Sequence, residues 1–471
     1  MEARENCGFC VTHTLHDAYS FGKSIQHRGR EATGIAAIGE GRIDVVKWEG
    51  PINRFDIVDL HKLFPGHNYH SFMIHVRYAT KGRKDKILED AHPHTIGGKI
   101  ENRDDHVLIL DCEMAAVHNG QVDSIYFQDI DKSQLKTGCD TDALLLFFKE
   151  DGEEEILKKI PRAYTLAIAD KKKNKIIVLR DRTGIKPGCL FWKDGKYGVA
   201  SEDIAPKKNG GEFIEDLQPG AVYYLYPDNK QPKPIKIVEP SLAYCFFEWN
   251  YIADVDSIIN GLSVRRVREV LGETSAEEFN FRNVDLVSYV PRCPEVAARS
   301  YARKLGIHFE PIFYKMRGER SFMGSTIDDR ADSIKKNLYM LPEVKEKLKN
   351  AVIAIIDDSF IRGNVLGRIV ELFEDVGARE VHIISYTPPI GVIGKDGIPR
   401  GCSCGVDMPP DDCFLIRDGE RNKTEEEINK QYENKIKVHY LSLEGMLKAY
   451  EKLGMPRENL DIYCIGGLPI A

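Results

Sequence analysis

The stretch Ala351-Val-Ile-Ala-Ile-Ile-Asp357-Asp358-Ser359-Phe-Ile-Arg362-Gly363-Asn364 decides how the second half of this chain is read. Residues 351–356 form an apolar run of strand length, two carboxylates follow at its C-terminal end, and Gly363 marks a turn. Leu366, Ile369, Val370 and Phe373 then recur at i, i+3, i+4 and i+7, which is one buried helical stripe. A further apolar run, Val381 to Ser385, follows, and strand, helix, strand at this spacing predicts a parallel sheet. Ligands of such sheets sit beyond the carboxyl ends of the strands, where helix N-termini hold phosphate, and the paired carboxylates would face ribose hydroxyls or magnesium. An ordinary strand-to-helix loop with an aspartate cap fits the same spacing.

Outward from this segment, Val284 to Val290 leads into a helix expected from about Glu295 to Leu305, a second unit of the same kind. Before residue 240 the texture changes. Short strands are expected at Gly34–Ile38, Ser71–Val76, Val107–Leu110, Tyr164–Ala169 and Ile176–Leu179, with a helix over Thr141–Lys149. The runs Glu153-Glu154-Glu155 and Lys171-Lys172-Lys173 read as solvated turns. Tyr226-Pro-Asp-Asn-Lys-Gln-Pro-Lys-Pro234 marks the domain boundary, dividing the chain into 7–235 and 240–471.

A net charge of −7 over 471 residues gives no global pull toward nucleic acid or an anionic membrane, so neither is expected as a partner. No apolar run approaches the ~18 residues of a membrane span, and the start Met-Glu-Ala-Arg-Glu-Asn lacks a signal peptide's apolar region. A cytoplasmic location is therefore expected. There the eleven cysteines do not read as a disulfide framework, and each is core filler, metal ligand or nucleophile.

Residues 357–364 resemble the phosphoribosylpyrophosphate (PRPP) signature of type I phosphoribosyltransferases, in particular the V-D-D-S-I-V-R-G-T-T pattern of the glutamine PRPP amidotransferase family. Cys245-Phe-Phe-Glu248 through Asp256-Ser257, Gly261-Leu-Ser-Val264, Val290-Pro291, Arg320-Ser-Phe322 and Gly405-Val-Asp407-Met-Pro409 match that family in order. In the first half, Gln26-His27-Arg28-Gly29, His75-Val76-Arg77-Tyr78-Ala79-Thr80, His118-Asn119-Gly120 and Asp140-Thr141-Asp142 resemble the motifs of class II glutamine amidotransferases. The resemblance implies an N-terminal-nucleophile αββα four-layer sandwich followed by a type I phosphoribosyltransferase parallel α/β sheet domain. It also implies a glutamine-dependent amidophosphoribosyltransferase of purine biosynthesis that acts as a homo-oligomer.

The residue roles follow from the same resemblance. Cys7 would be the nucleophile and its own free α-amine the base, which requires removal of a propeptide, Met1 to Asn6, by autocatalytic cleavage. Asn119 and the Gly120 N–H would form the oxyanion hole, Arg77 and Tyr78 would meet glutamine with Asp140 on its ammonium, and Gly29 would shape the pocket. Read alone, Asn119-Gly120 is also a good hairpin turn and Arg77 a surface ion pair.

Asp357, Asp358, Ser359, Arg362, Gly363 and Asn364 would bind PRPP, with Mg2+ at Asp357 and Asp358, while Arg317 and Arg320 would close over the sugar.

Four departures stand out. Asn364-Val365 replaces two threonines that grip the 5′-phosphate in the family, and losing a charge-assisted hydrogen bond costs about 1.5–3 kcal/mol. Pro294 stands where some members carry a serine, and the Lys315 to Arg320 loop is one residue short. Cys245, Cys402 and Cys464 fall at three of four expected ligands of a 4Fe-4S cluster, with Asp461 at the fourth place, so that Cys404, Cys413 or Asp461 itself would complete the set or the cluster is lost. Two rivals stand beside this reading: a paralogue aminating another phosphorylated substrate, and a non-enzymatic nucleotide-responsive regulator. Retention of Cys7, Arg77, Asn119-Gly120 and Asp140 together speaks against the regulator.

Overall fold

Alternation along the strands of the first half sorts side chains between an inner and two outer layers. In a computed structural model, residues 7–64, 68–78, 86–228, 230–281, 283–315, 338–402, 404 and 408–468 are described. The chain forms two compact units, one running to Tyr244 and including Ile252–Gly261, the other holding Cys245–Tyr251 and most of the chain beyond Leu262.

The first unit is built on β1 (Gly8–Thr12), β2 (Ala32–Gly39), β3 (Arg42–Glu49), β4 (Tyr69–Arg77), β5 (His94–Asn102), β6 (Val107–Gly120), β7 (Tyr164–Asp170) and β8 (Lys175–Arg180). They are joined by β9 (Cys189–Lys193), β10 (Lys196–Ala200), β11 (Glu212–Asp216), β12 (Ala221–Leu225) and β13 (Ile235–Lys236). Their order is β11-β9-β10-β1-β4-β2-β3-β6-β7-β8-β12-β13, with β5 on β6. Phe9 and Val11 of β1, Ala36 and Ile38 of β2, Ala167 and Ala169 of β7 and Ile176 and Val178 of β8 share one buried core between the two halves of the sheet.

The alternate residues face outward. Cys10, Ile35 and Ala37 pack on α1 (Leu15–Ser24) and α2 (Ile57–Leu63), while Leu166, Ile168, Ile177 and Leu179 pack on α3 (Asp140–Asp151) and α4 (Glu153–Lys159), and Ala205 of α5 (Ile204–Lys208) joins the first group. Period-two alternation with both faces apolar thus produces helices, sheet, sheet, helices, the four expected layers.

Two expectations need correction. Glu153-Glu154-Glu155 is the first turn of α4 rather than a loop, a favourable place for carboxylates against the helix dipole. Asn119-Gly120 is no hairpin turn: both residues end β6 and pair with Thr165 and Tyr164 of β7.

The second unit carries a four-stranded parallel sheet, β14 (Leu286–Tyr289), β15 (Val352–Asp357), β16 (Glu380–Ser385) and β17 (Lys437–Tyr440), adjacent in that order. Register runs Leu286↔Ile353, Val352↔Glu380 and His382↔Lys437. Helices α6 (Val264–Glu278), α7 (Glu295–Leu305), α8 (Asn364–Phe373), α9 (Glu425–Gln431) and α10 (Leu443–Glu451) complete it. Ser263 and Ser442 cap α6 and α10, and Thr424 with Glu427 forms a capping box on α9. No helix among the described residues is long and apolar enough to cross a membrane.

Candidate active site

In the first unit Cys7 is fully buried and leads directly into β1. Its carbonyl accepts from Arg28 Nε at 2.8 Å, and Arg28 is held by Glu202, with Nη1 2.5 Å from Oε1. His27 Nε2 lies 2.9 Å from the same oxygen, and Glu202 Oε2 accepts from Ser257 Oγ at 2.7 Å. Burial opposes ionisation of Glu202, but His27 and Arg28 outweigh it and hold the carboxyl well below its usual range. Arg28 lies inside a motif legible in the sequence. Glu202 has no such signal, because its partner is 174 positions away.

Gly29 packs where no side chain fits: a Cβ there would stand 2.3 Å from the Arg77 carbonyl carbon. Arg77, at the end of β4, is buried rather than a surface residue, donating from Nη1 to the Ile87 carbonyl at 2.8 Å with Asp90 3.6 Å from Nη2. Tyr78 beside it is also buried. One residue before Arg77 in the strand pairing, Val76 meets Gly8, so the arginine emerges next to the strand that Cys7 leads into.

His75 bridges to the third motif, its Nε2 3.0 Å from the His118 carbonyl, and burial pushes its pKa down to about 3. Asn119 follows His118, is fully buried, and neither atom of its side-chain amide has a hydrogen-bond partner among the described residues. Such a group in a folded core costs about 1–3 kcal/mol unless something else completes it. Gly120 admits no side chain either, since a Cβ would lie 1.9 Å from the Ala163 carbonyl oxygen. Asp140 opens α3, accepts from Val122 N–H at 2.7 Å, and lies 3.7 Å from His118 Nδ1. Burial opposes its ionisation, yet His118 and the Val122 N–H keep its carboxyl below the usual range. A continuous set of contacts therefore links Cys7, Arg28, Gly29, Arg77, His75, His118, Asn119 and Asp140 at one end of the sheet.

In the second unit Asp357 ends β15 and Asp358 follows, both buried. Asp358 N–H donates to Asp357 Oδ1 at 2.9 Å and Ser359 Oγ to Asp358 Oδ2 at 2.9 Å. Burial and the neighbouring Asp358 charge push the Asp357 carboxyl well up, so a bound cation or hydroxyl donors would relieve the pair. Gly363, with φ of +80°, turns the chain into α8, and a Cβ would reach 2.5 Å from Tyr432 Oη. Asn364 is the first residue of α8, and Arg362 forms a buried ion pair with Asp412. Arg317 and Arg320 lie outside the described residues.

The two side-by-side carboxylates fit a magnesium-bearing diphosphate or the hydroxyls of a sugar. The cluster donors fit less well. Cys245 and Cys402 are buried and Cys464 half-buried, while Asp461 accepts from Tyr463 N–H at 2.9 Å within its own turn. Three thiols and a turn-capping carboxylate do not make the four thiolates that iron–sulfur ligation normally wants.

A four-layer sandwich that opens on Cys7, joined in one chain to a phosphoribosyltransferase-type parallel sheet, defines the amidotransferase class. The glutamine amidotransferase domain family matches residues 113–239. The amidophosphoribosyltransferase of Archaeoglobus fulgidus is 30% identical over 467 residues, covering 94% of this chain and 92% of that protein. The solved structure of the allosteric regulatory enzyme of purine biosynthesis superposes with a TM-score of 0.80 at 24% identity, covering 99% of this chain and 96% of that one. The Bacillus subtilis glutamine PRPP amidotransferase complexed with ADP and GMP gives 0.75, also at 24% identity, covering 98% and 96%. The chain belongs to the amidophosphoribosyltransferase family.

Proposed function

We propose that this protein hydrolyses glutamine in its first unit and transfers the ammonia to PRPP in its second, giving 5-phosphoribosylamine at the entry to purine synthesis. Family membership supports the overall reaction, and the observation that carries the site assignment is the fully buried Asn119 amide without a hydrogen-bond partner among the described residues. The Cys7 thiol attacks the side-chain amide of glutamine while its freed α-amine takes the thiol proton. The oxyanion formed is met by Asn119 Nδ2 and the Gly120 N–H, and its collapse expels ammonia with the proton returned by the amine. Water then cleaves the thioester to glutamate. Arg77 pairs with the substrate carboxylate and Asp140 with its ammonium, both already ionised and buried enough to act at low dielectric.

In the second unit Asp357, Asp358, Ser359, Arg362, Gly363 and Asn364 hold the phosphorylated sugar, with Arg317 and Arg320 as further PRPP-binding residues. Asp357 and Asp358 would hold magnesium, which would supply neutralising charge for the pyrophosphate leaving group. Removal of residues 1–6, a glutaminase domain over 7–235, a transferase domain over 240–471, a cytoplasmic location and assembly as a homo-oligomer complete this reading.

Glutamine turnover with and without PRPP and Mg2+, with pyrophosphate release followed in parallel, is the test. Matched release of glutamate and pyrophosphate is expected. Glutaminase without pyrophosphate would overturn PRPP as the acceptor and favour another phosphorylated substrate, as Asn364-Val365 suggests.

A further inference from the structure

Behind the glutamine-site residues lies a second cluster that the reaction above does not use. His94 is the first residue of β5, His92 stands two positions earlier, and Cys139 is the residue before α3. All three are buried, and one ring nitrogen of each histidine and the Cys139 sulfur lie within 4.8 Å of one another. Among the described residues this is the one group of three or more His, Cys, Asp or Glu side chains converging in that way.

The surroundings resemble those of a metal centre. His92 Nε2 is 2.8 Å from Thr141 Oγ1, and His94 Nε2 is 3.3 Å from the Asp90 carbonyl. Histidine ligands usually hold one nitrogen on such a partner, which fixes the ring while the other binds metal. His75 stacks on His92 with ring centroids 4.0 Å apart, and His94 meets it edge-on at 4.8 Å, so the rings have little freedom to turn away. The buried Lys47 ammonium, donating to the Ala91 carbonyl at 2.8 Å, and the Arg77 guanidinium are the opposing charges nearby, with Asp90 and Asp142 acting on Lys47 from the other sign.

We infer that His92, His94 and Cys139 form a binding site for one zinc-class transition-metal ion. Two imidazoles and a thiolate are a borderline-soft set that suits Zn2+ and disfavours Mg2+ and Ca2+. With Zn–N near 2.0–2.1 Å and Zn–S near 2.3 Å, tetrahedral donors stand roughly 3.3–3.8 Å apart, so side-chain shifts of about 1 Å close the site. Water would take the fourth position. The site stands independently of the glutaminase reading; on that reading, the metal would also anchor the first turn of α3, because Cys139 is bonded directly to Asp140 and Thr141 touches both His92 and His118.

The test uses the full chain, purified without a metal-affinity tag, loaded with zinc and desalted, with metal measured by mass spectrometry. Stoichiometric zinc, one ion per chain, is expected, as is a thiolate-to-cobalt charge-transfer band with four-coordinate d–d bands when cobalt replaces zinc. Cys139→Ser and His94→Gln should each lose the metal, with circular dichroism reporting their folding, whereas a Cys402→Ser, Cys464→Ser double variant should keep it. Because the cobalt spectrum is read on the unmutated chain, it remains decisive where a variant does not fold. Substoichiometric zinc, a cobalt spectrum without thiolate character, or zinc that persists in Cys139→Ser would each overturn the site, whatever the glutaminase assay shows.

Discussion

Asn119 and Glu202 show how differently two buried polar residues serve one site. The Asn119 amide gives the fold no hydrogen bond among the described residues, so its removal should strike turnover and spare stability. Asn119→Ala is expected to lower kcat for glutamine hydrolysis by about 100- to 1,000-fold, with the thermal midpoint near that of the parent. Steady-state kinetics and a melting curve check both halves. Glu202 does the reverse, touching no substrate in this reading but fixing Arg28 and through it the Cys7 carbonyl. Breaking such a buried pair costs about 3–5 kcal/mol, which is the loss expected of Glu202→Gln at neutral pH. Its folded pKa lies below the ordinary 4.5, so below that value the unfolded chain binds the extra proton. Glu202 stabilisation is therefore full above pH 4.5 and is lost as pH falls toward the folded pKa. Denaturant titrations across that range should show a shallower acid limb in the variant, and an unchanged slope would remove Glu202 from this role. Arg77 was readable in the sequence only through its motif, since a lone arginine is normally a surface residue. Glu202 was not readable at all, because nothing within its own stretch records a partner so far away.

Among elements, β6 was the least legible. Its apolar start at Val107–Leu110 reads as a short strand, but Asp111, with φ of +58°, and Glu113 break the alternation. The break coincides with a register shift against β5 between Ile96 and Gly97, so a bulge hides a single strand that continues to Gly120. By contrast β15 and α8 follow the sequence closely, because a fully buried parallel strand and a one-faced helix leave unbroken apolar patterns. In the second unit, α6 and α7 approach at Gly272, where a Cβ would stand 2.1 Å from the Ala297 carbonyl oxygen. Gly272→Ala should force the helices apart and destabilise that unit by about 1–3 kcal/mol, despite alanine's better helix propensity. Equilibrium unfolding followed by circular dichroism measures it, and a stabilised variant would show the contact to be soft.

At the scale of the whole molecule, both fold types were legible because each rests on several ordered motifs, whereas the cluster of His92, His94 and Cys139 was not, its members coming from the entry to β5 and from a helix cap 45 positions beyond His94. The processing reading belongs here too. Intact-mass measurement of purified protein should find Cys7 as the first residue, and Cys7→Ala should retain residues 1–6. A chain that keeps them and still hydrolyses glutamine would refute the N-terminal base. On the proposed processing, the placement of β1 would set when that cleavage can occur. Although it comes first in the sequence, β1 lies between β4 and β10, so its bed is incomplete until Ala200 has been made. At about 5–20 residues per second, roughly 10–40 seconds of translation separate the two. On that processing, Cys7 would remain an internal residue with an acylated nitrogen throughout that interval. The leader would then act as a safety catch released by the closed fold, keeping half-synthesised chains on the ribosome from squandering glutamine.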